Sequence, residues 1–595
     1  MEQRSKVRKT RRDESTSKSV ANSTGKNPSP YGLNSDWIWG AVLLVGVILA
    51  YSPVWWAGFI WDDDLIVTAN PCIAGPYGLK EIWTTRAADV CPLTLTTFWL
   101  EYKLWGSAPL PYHLVTVLLH GASAVVLWRV SRGLRIPGAW LGAALWAFHP
   151  VMVESVAWIS EMKNTESCLF FLLSIFFFVR TLRIEGTRTA VWDYLLTLLF
   201  AALAMASKSS TVILPLVLCL CAWWMESKPS RRMLVTFGLI FVMALGAGLV
   251  SIWTQKLLMA AMVDPQLERG WPERAVTAGF AVWFYLGKLL WPHPLIMIYP
   301  RWEISVAQWI SYLPLFAILV VSFILWVNRN SWSRSCLFVW AYFLVALLPV
   351  VGLVNNTFIH YSFVADHFQY LASMGPLALA GAGLVWLANF FKLENQWSQS
   401  TFGGALLLVF GALSWQQAWA YQSEDTLWSR TLEENPGCWV GQNHLGLVLR
   451  EKGELDQAIS CYQKALELNP NYDVAEYNWG VALYRRGQLD DAFAHFQRAV
   501  EINPEFAGAH YNLGVILNHK ERLDEAMAQF QKTLELDPNH SEAHNNLGSL
   551  LLQKGRPNDA LAQFHEALRL KPDNVAAQAN LAKAQAMLRK QADQK

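Results

Sequence analysis

Three consecutive carboxylates, Asp62, Asp63 and Asp64, follow the first long apolar segment of the chain in the sequence Gly-Phe-Ile-Trp-Asp-Asp-Asp. A carboxylate held at a membrane surface can act as a general base that takes a proton from an attacking hydroxyl group. The same residues can also form a solvated acidic turn, or cap the helix that follows. The triplet alone leaves both interpretations open.

Other ionisable residues lie beside apolar segments that are far apart in the sequence. They are Arg86, His149, Glu154, Glu161, Lys163, Lys208, Lys288, Arg301, Asp366 and His367. Charged groups near hydrocarbon are costly unless they are paired or functional, so their convergence on one face would indicate a cleft. Cations stabilise a phosphate leaving group and a carboxylate deprotonates a hydroxyl, which together suit transfer from a lipid-linked sugar phosphate.

The sequence predicts no metal site. His149 and Glu154 are separated by four residues and have no third ligand nearby, so a hydrogen-bonded pair that orients the cleft is the favoured interpretation. The eight cysteines form no Cys-x-x-Cys set. Cys72 and Cys91 share the first external loop and could form a disulfide in an oxidising compartment.

The elements that must position these residues are membrane helices. With 53% hydrophobic residues, 16% charged residues and 31 Trp, the chain is too apolar for one soluble domain. We predict an all-α protein in which a basic cytoplasmic tail, disordered, at 1–35 precedes a multi-span membrane domain at 36–420. That domain has about eleven spans and a first external loop at 58–111. The net charge of +2 favours no nucleic-acid partner.

Basic residues in the short loops set the predicted orientation. They follow every second span and are Arg129, Arg132 and Arg135; Arg180, Arg183 and Arg188; Lys228, Arg231 and Arg232; Arg329 and Arg334; and Lys392. The positive-inside rule places these loops and the N-terminus in the cytoplasm. Because residues 275–291 are bounded by prolines, we interpret them as lying in or re-entering the outer interface. The odd span count then puts the C-terminal region outside the inner (plasma) membrane, in a periplasm or its equivalent.

The C-terminal region repeats with a period of 34 residues. Equivalent positions are Pro436, Pro470, Pro504, Pro538 and Pro572, and Gly446, Gly480, Gly514 and Gly548. This pattern resembles the tetratricopeptide repeat (TPR) and predicts a half-repeat joint at 421–436, four repeats at 437–574 and a capping helix and tail at 575–595. His444, Asn478, Asn512 and Asn546 would line the concave face and could bind an extended acceptor peptide, although Asn at this position is also common in TPR sequences.

Several motifs outside the repeats occur together. They are Trp61-Asp62-Asp63, Pro92-Leu93-Thr94, the segment 147–158, Ala206-Ser207-Lys208, the segment 285–292 and the segment 365–371. In combination they resemble the transmembrane-and-TPR protein O-mannosyltransferases and their bacterial relatives, over residues 36–575. The resemblance implies a GT-C fold, a polyprenyl-phosphate sugar donor such as dolichyl phosphate mannose, no metal or other cofactor, and Asp62 or Asp63 as the base.

Three positions depart from the family pattern. Cys91, Met162 and His367 stand where the family often has Arg. Arg86, Lys163, Lys208, Lys288 and Arg301 could supply the missing positive charge. The predicted function is transfer of a mannose-like sugar to a protein hydroxyl, with the array binding the acceptor. The alternative is a membrane-anchored TPR scaffold for envelope protein assembly with an inactive cleft; a transporter is less favoured, because the charges gather at one interface rather than at the midplane.

Overall fold

The computed structural model describes residues 35–75, 77–85, 91–183, 188–228, 230–261, 269–330, 333–354, 357–391 and 396–593. The predicted basic tail up to residue 34, Arg86 and Lys392 lie outside the described residues. Throughout the described part of the chain the secondary structure is helical, without a β-strand, so the predicted all-α class is confirmed.

The first part of the chain contains fifteen of the described α-helices, broken by short 3-10 turns. They are α1 (Ser35–Ala50), α2 (Leu79–Thr84), α3 (Pro92–Trp105), α4 (Pro109–Gly133), α5 (Ala139–Phe148), α6 (Val153–Ala157), α7 (Met162–Thr181), α8 (Arg188–Ser207), α9 (Leu214–Trp224), α10 (Arg231–Ala261), α11 (Trp271–Leu290), α12 (Leu313–Val327), α13 (Arg334–Leu347), α14 (Met374–Phe390) and α15 (Gln396–Ala418). Proline starts several of them, at a position where its missing N–H costs no helical hydrogen bond.

Several of these helices are compatible with a membrane. Among the described residues, five are long and apolar enough to cross one: Pro109–Gly133, Ile159–Thr181, Ala190–Ser207, Arg231–Leu257 and Trp309–Val327. Five further apolar helices are shorter. On α10 and α12, exposed side chains such as Phe241, Val242, Phe316 and Phe323 present an apolar surface that suits hydrocarbon. The count of eleven spans and the orientation stay predictions.

The membrane domain is held together by one large apolar core and close helix crossings. An added Cβ on Gly381 of α14 would lie 2.5 Å from the backbone nitrogen of Gly142 on α5, so glycine is required for this approach. Asp36, at the start of α1, forms ion pairs with Arg129 and Arg132 near the end of α4, each at 2.7 Å. These two helix ends therefore share one face of the domain.

The C-terminal part is a stack of paired helices. They are α16 (Glu424–Glu434), α17 (Trp439–Glu451), α18 (Leu455–Leu468), α19 (Asp473–Arg485), α20 (Leu489–Ile502), α21 (Ala507–His519), α22 (Leu523–Leu536), α23 (Ser541–Gln553), α24 (Pro557–Leu570) and α25 (Val575–Asp593). In each repeat a glycine of the first helix meets an aromatic ring of the second. A Cβ on Gly480 would lie 2.8 Å from the ring of Phe496, so the 34-residue glycine spacing encodes the crossing.

The array begins directly on the membrane domain. Helix α16 is capped by Ser423, whose hydroxyl accepts from the Thr426 amide at 3.3 Å. Trp428 of α16 is fully buried, and the Asn435 side chain donates to the carbonyl oxygen of Ile298 at 3.1 Å. The joint helix therefore packs against the same loops that carry the predicted site.

Candidate active site

The structure gives the three consecutive carboxylates different environments. Asp63 is fully buried, and its Oδ1 accepts from the Ser160 amide at 2.7 Å and the Ser160 hydroxyl at 2.5 Å. Its Oδ2 accepts from the Ile60 amide at 3.0 Å. Burial and the neighbouring Asp62 raise the pKa of Asp63 to about 8. Because both carboxylate oxygens are already bonded, Asp63 anchors its loop to the turn that contains Ser160.

Asp62 differs from Asp63 in having a carboxylate oxygen without a hydrogen bond from the described residues. Its side chain is half-buried, and its Oδ1 accepts no hydrogen bond from the described residues. Burial raises the pKa of Asp62 above its ordinary value, and the nearby Lys163 ammonium opposes that shift. Asp64 is exposed, and its Oδ1 accepts from the Thr68 hydroxyl at 2.8 Å within a short helical turn. Among the three, Asp62 fits a general base best.

Glu161 is the centre of a buried polar network beside Asp62. One of its oxygens lies 2.9 Å from Lys163 Nζ, and the other lies 3.2 Å from Lys208 Nζ and 2.6 Å from Asn164 Nδ2. Lys208 also donates to Asn164 Oδ1 at 2.5 Å. Burial lowers the pKa of Lys208, and the Glu161 carboxylate opposes the shift. Two lysines share one carboxylate, which leaves net positive charge next to Asp62.

Sequence reasoning assigned Glu161 no role of its own and did not single out Asn164. Glu161 stood among the ionisable residues of the outer face, and its place two residues before Lys163 was the available signal. Asn164 offers no such signal, because an amide three residues into a helix is unremarkable in sequence. Only its contacts with Glu161, Lys208 and the His367 carbonyl oxygen reveal its position.

The expected pair between His149 and Glu154 is wrong. His149 Nε2 instead lies 3.1 Å from the Leu289 carbonyl oxygen, and its Nδ1 accepts from the Val151 amide at 3.3 Å. Glu154 points away from His149 and contacts His367. His367 Nδ1 lies 2.8 Å from Glu154 Oε1, and the His367 amide donates to Glu154 Oε2 at 3.2 Å. The chain is extended at His149 between two helices, so the two side chains point apart.

His367 joins Glu154 to the Glu161 network. Its Nε2 lies 4.0 Å from Glu161 Oε1, and burial lowers the pKa of His367 to about 3. The ring is therefore neutral near pH 7 and does not replace a positive charge. Burial, with the charges of Asp366 and Glu161, raises the pKa of Glu154 above its ordinary value. This arrangement favours one proton held between Glu154 and His367.

Asp366, Lys288 and Arg301 form the far side of the site. Asp366 Oδ2 accepts from the Tyr299 hydroxyl at 2.9 Å, and Lys288 Nζ lies 4.9 Å from the centre of the Tyr299 ring and donates to the Pro294 carbonyl oxygen. Arg301 donates to the carbonyl oxygens of Ile359 and His360. In the described residues no three His, Cys, Asp or Glu side chains meet in a way that could hold a metal ion.

A cavity lies between Arg301 and the first repeat. Its volume is about 220 Å³, and its walls come from both parts of the protein. The lining includes Tyr299, Arg301, Tyr361, Asn435 and Trp439. Tyr299 connects the cavity to Asp366, and the Tyr361 ring lies 5.6 Å from the ring of Trp61, next to Asp62. The cavity is therefore adjacent to the carboxylates at the junction with the array.

The Pro92-Leu93-Thr94 motif has a structural explanation at the start of α3. Thr94 and Thr97 donate to the two oxygens of Glu166 at 2.6 and 2.7 Å, and Thr94 also lies 3.1 Å from the Ser207 carbonyl oxygen, beside Lys208. Glu101, one further turn along α3, is buried, and burial together with Glu166 raises its pKa to about 8. The motif thus fixes the loop between α1 and α4 against the Lys208 turn.

The expected disulfide is not formed in the structure. Cys72 is fully buried in a small apolar core with Val67, Ile73 and Ile82, whereas Cys91 precedes α3 and lies near the ammonium groups of Lys163 and Lys208. The two thiols belong to different parts of the loop. Met162 is fully buried in the same apolar core as Cys72, so it presents no polar group to the site.

Some of the side chains predicted to bind an acceptor peptide instead form hydrogen bonds within the array. Asn478 Nδ2 donates to Asn443 Oδ1 at 2.9 Å, and its Oδ1 accepts from Arg450 at 3.3 Å. Asn546 donates to the Tyr511 hydroxyl at 3.3 Å, and Asn512 is half-buried. His444 stacks on Trp428 of the joint helix with ring centroids 4.7 Å apart. His444 therefore packs at the junction with the joint helix, and this contact, rather than peptide binding, accounts for its position.

These features define a class of protein: an all-helical chain that joins apolar, membrane-compatible helices to a TPR solenoid. Tetratricopeptide-repeat family models match residues 477–541 and 530–562, and a TPR-repeat model matches 446–486. Protein O-mannosyl-transferase TMTC3 of Mus musculus is 23% identical over 71% of this chain and 50% of its own length. Protein O-mannosyl-transferase Tmtc1 of Drosophila melanogaster is 31% identical over 27% of this chain and 20% of its own length. The chain is therefore similar to the TMTC protein O-mannosyl-transferases, and its C-terminal region carries tetratricopeptide repeats.

The similarity has a defined extent. The chain spans about half the length, or less, of the curated relatives it matches. Among solved structures, the TPR protein YrrB, described as having an unusual peptide-binding site, is 25% identical over 33% of this chain and 96% of its own, with a TM-score of 0.23.

Proposed function

We propose that the chain is a GT-C-type membrane glycosyltransferase that moves a mannose-like sugar from a polyprenyl phosphate to a protein hydroxyl on the external face. The observation that carries the proposal is the Asp62 carboxylate, half-buried with an unbonded oxygen, beside two lysines that share Glu161. The names of the relatives point to the same reaction class. The array then binds the acceptor protein.

The chemistry follows from the positions of these groups. Asp62 accepts the proton of the acceptor hydroxyl as its oxygen attacks the anomeric carbon of the sugar. The bond from that carbon to the phosphate oxygen breaks, and the polyprenyl phosphate leaves with the electron pair. Lys163 and Lys208 stabilise the leaving phosphate. Glu161 holds both ammonium groups in place, and Asn164 adds a second contact to Lys208.

The cavity at the junction supports a route for the acceptor. It opens between the first repeat and the loops that carry Tyr299 and Tyr361, and both tyrosines are close to the carboxylates. An acceptor segment bound by the array would reach Asp62 through this space. Its aromatic and amide lining suits a polypeptide with hydroxyl side chains.

The test compares Asp62→Asn with Asp64→Asn in cells that produce the full chain. Mass spectrometry measures hexose on Ser and Thr residues of envelope proteins. We expect the wild type and Asp64→Asn to add hexose, and Asp62→Asn to lower the addition by about 10²- to 10⁴-fold, the typical contribution of a general base. Hexose addition that is unchanged in Asp62→Asn would refute the assignment.

A second candidate function is a membrane-anchored TPR scaffold with an inactive cleft. The observation in its favour is that Cys91, Met162 and His367 replace residues that are often Arg in the family. Met162 is buried in an apolar core and His367 is neutral. If this function is correct, the wild type adds no hexose, and its envelope partners remain bound when Asp62 is changed to Asn.

A further inference from the structure

We propose that Glu424, on the joint helix α16, is a positioning residue that fixes the loop of Asp62, so that the repeat array directly controls the orientation of the base. The proposal rests on the proposed function, because that function gives Asp62 its role.

The first argument is the pair of hydrogen bonds between the loop and the joint. The Trp61 amide donates to Glu424 Oε1 at 3.0 Å, although the two residues are 363 positions apart. The Gly58 amide donates to the Gln422 carbonyl oxygen at 3.1 Å. The first external loop is therefore bonded to the start of the array, on both sides of Phe59 and Ile60.

The second argument is the backbone of Trp61. Its φ is +52°, in the left-handed region that residues with a side chain rarely adopt. Such a conformation persists only when the surroundings hold it. The hydrogen bond from the Trp61 amide to Glu424 is one such restraint, and it acts on the residue directly before Asp62.

The third argument is the packing of the Trp61 ring between the two parts of the protein. One contact is a stack on Trp158, with centroids 5.2 Å apart and planes at 6°. The other is an edge contact with Trp428 of α16, with centroids 5.4 Å apart. Movement of α16 would therefore shift both the ring and the amide of Trp61.

Glu424 also reaches into the first repeat. Its Oε2 lies 4.0 Å from His444 Nδ1 on α17, and the His444 ring stacks on Trp428 at 4.7 Å. His444 occupies the repeat position at which later repeats carry Asn478, Asn512 and Asn546. The first repeat is thus linked to the Asp62 loop through His444, Glu424 and Trp61.

The anchoring of Asp63 makes Asp62 the sensitive position. Asp63 is held by Ser160 and Ile60, which belong to the membrane domain, whereas Trp61 is held by Glu424 from the array. Asp62 lies between these two attachments. Loss of the Glu424 contact should therefore change the direction of the Asp62 carboxylate without removing the loop from the domain.

The experiment uses the full chain in detergent with a short-chain polyprenyl phosphate mannose as donor probe. The variants are Glu424→Ala, which removes the acceptor of the Trp61 amide, and Glu424→Gln, which keeps an oxygen at Oε1. Glu433→Ala, an exposed carboxylate on the same helix, is the matched control. The readouts are kcat, KM for the donor, and hydrogen–deuterium exchange of the segment 58–64.

We expect Glu424→Ala to lower kcat about 10- to 100-fold, because a small displacement of a reacting group is sufficient for a loss of that size. KM for the donor should change by less than about 2-fold, since Lys163 and Lys208 are untouched. Exchange of segment 58–64 should rise in Glu424→Ala, and both readouts should stay near the wild type in Glu424→Gln and Glu433→Ala.

Three outcomes would overturn the proposal: unchanged exchange of segment 58–64 in Glu424→Ala; a kcat that stays at the wild-type value while exchange rises; or an equal loss of kcat in Glu424→Gln. If Glu424→Ala fails to fold, Glu424→Asp, which shortens the acceptor by one methylene, replaces it with an expected intermediate loss. A wild type that transfers no mannose refutes the proposed function, and the exchange comparison still tests the contact.

Discussion

Charged residues pair in both the membrane domain and the array, but the carboxylates of the array are exposed to solvent and those of the candidate site are buried. In the array, ion pairs such as Arg486 with Asp456 and Lys520 with Asp490 lie on the surface, with the carboxylates 84% and 91% exposed. At the candidate site, Glu161 and Glu154 are 2% exposed. Exposed pairs contribute little to stability, whereas an unpaired buried charge is very costly. The burial of the carboxylates, rather than the number of ion pairs, therefore distinguishes the candidate site from the charged surface of the array.

The largest effect on stability is expected for Glu161→Ala, which tests whether buried pairs contribute more than exposed ones. It removes a buried carboxylate and leaves the partly buried ammonium groups of Lys163 and Lys208 without their shared partner, so we expect a loss of roughly 3–5 kcal/mol in the free energy of unfolding. Chemical unfolding of the full chain in detergent measures it. The control is Asp456→Ala, which breaks an exposed pair, and an equal effect of the two changes would contradict the comparison.

The next effect is a pH dependence that belongs to the membrane domain. Because the pKa of Asp63 is raised to about 8 in the folded protein, its contribution to stability is fully present below about pH 4, near its unfolded pKa. The contribution is lost as the pH rises toward 8. We expect the unfolding midpoint to fall over this range and the slope to flatten in Asp63→Asn. An identical slope in Asp63→Asn would show that another group is responsible.

A smaller effect tests the helix crossing in the array. Gly480→Ala places a Cβ 2.8 Å from the Phe496 ring, so we expect a loss of about 1–3 kcal/mol. Hydrogen–deuterium exchange of α19 and α20 reports it locally. Gly246→Ala on α10, where an added Cβ meets nothing within 4 Å, is the control and should change stability by less than about 1 kcal/mol. Equal exchange in the two variants would mean that the crossing tolerates a side chain.

The smallest effect concerns the exposed pairs. Asp490→Ala removes the partner of Lys520, and we expect a change of about 0.2–1 kcal/mol, because solvent screens the pair. Exchange of α20 measured at low and high salt checks this. A loss of about 2 kcal/mol or more, or a loss that is insensitive to salt, would show that exposed pairs stabilise the array as strongly as buried pairs stabilise the membrane domain.

Sequence reasoning predicted the array well because its information is local. A glycine and its aromatic partner recur at fixed spacing, and each pair meets within one repeat, as Gly480 and Phe496 do. The site is different. Glu154 has its partner His367 at a separation of 213 residues, and local spacing instead suggested His149. A break in the helix between residues 148 and 153, which spacing does not reveal, turns these two side chains apart.

By itself the sequence determined the helical class, the apolar segments, the period of the array and the set of ionisable residues from which the site is drawn. The tertiary structure decided the roles. It anchored Asp63 to Ser160, left an oxygen of Asp62 unbonded, and set Glu161 between two lysines. The physical reason is that periodic patterns encode contacts along one helix pair, whereas the burial of a charge depends on segments that meet only in the folded chain.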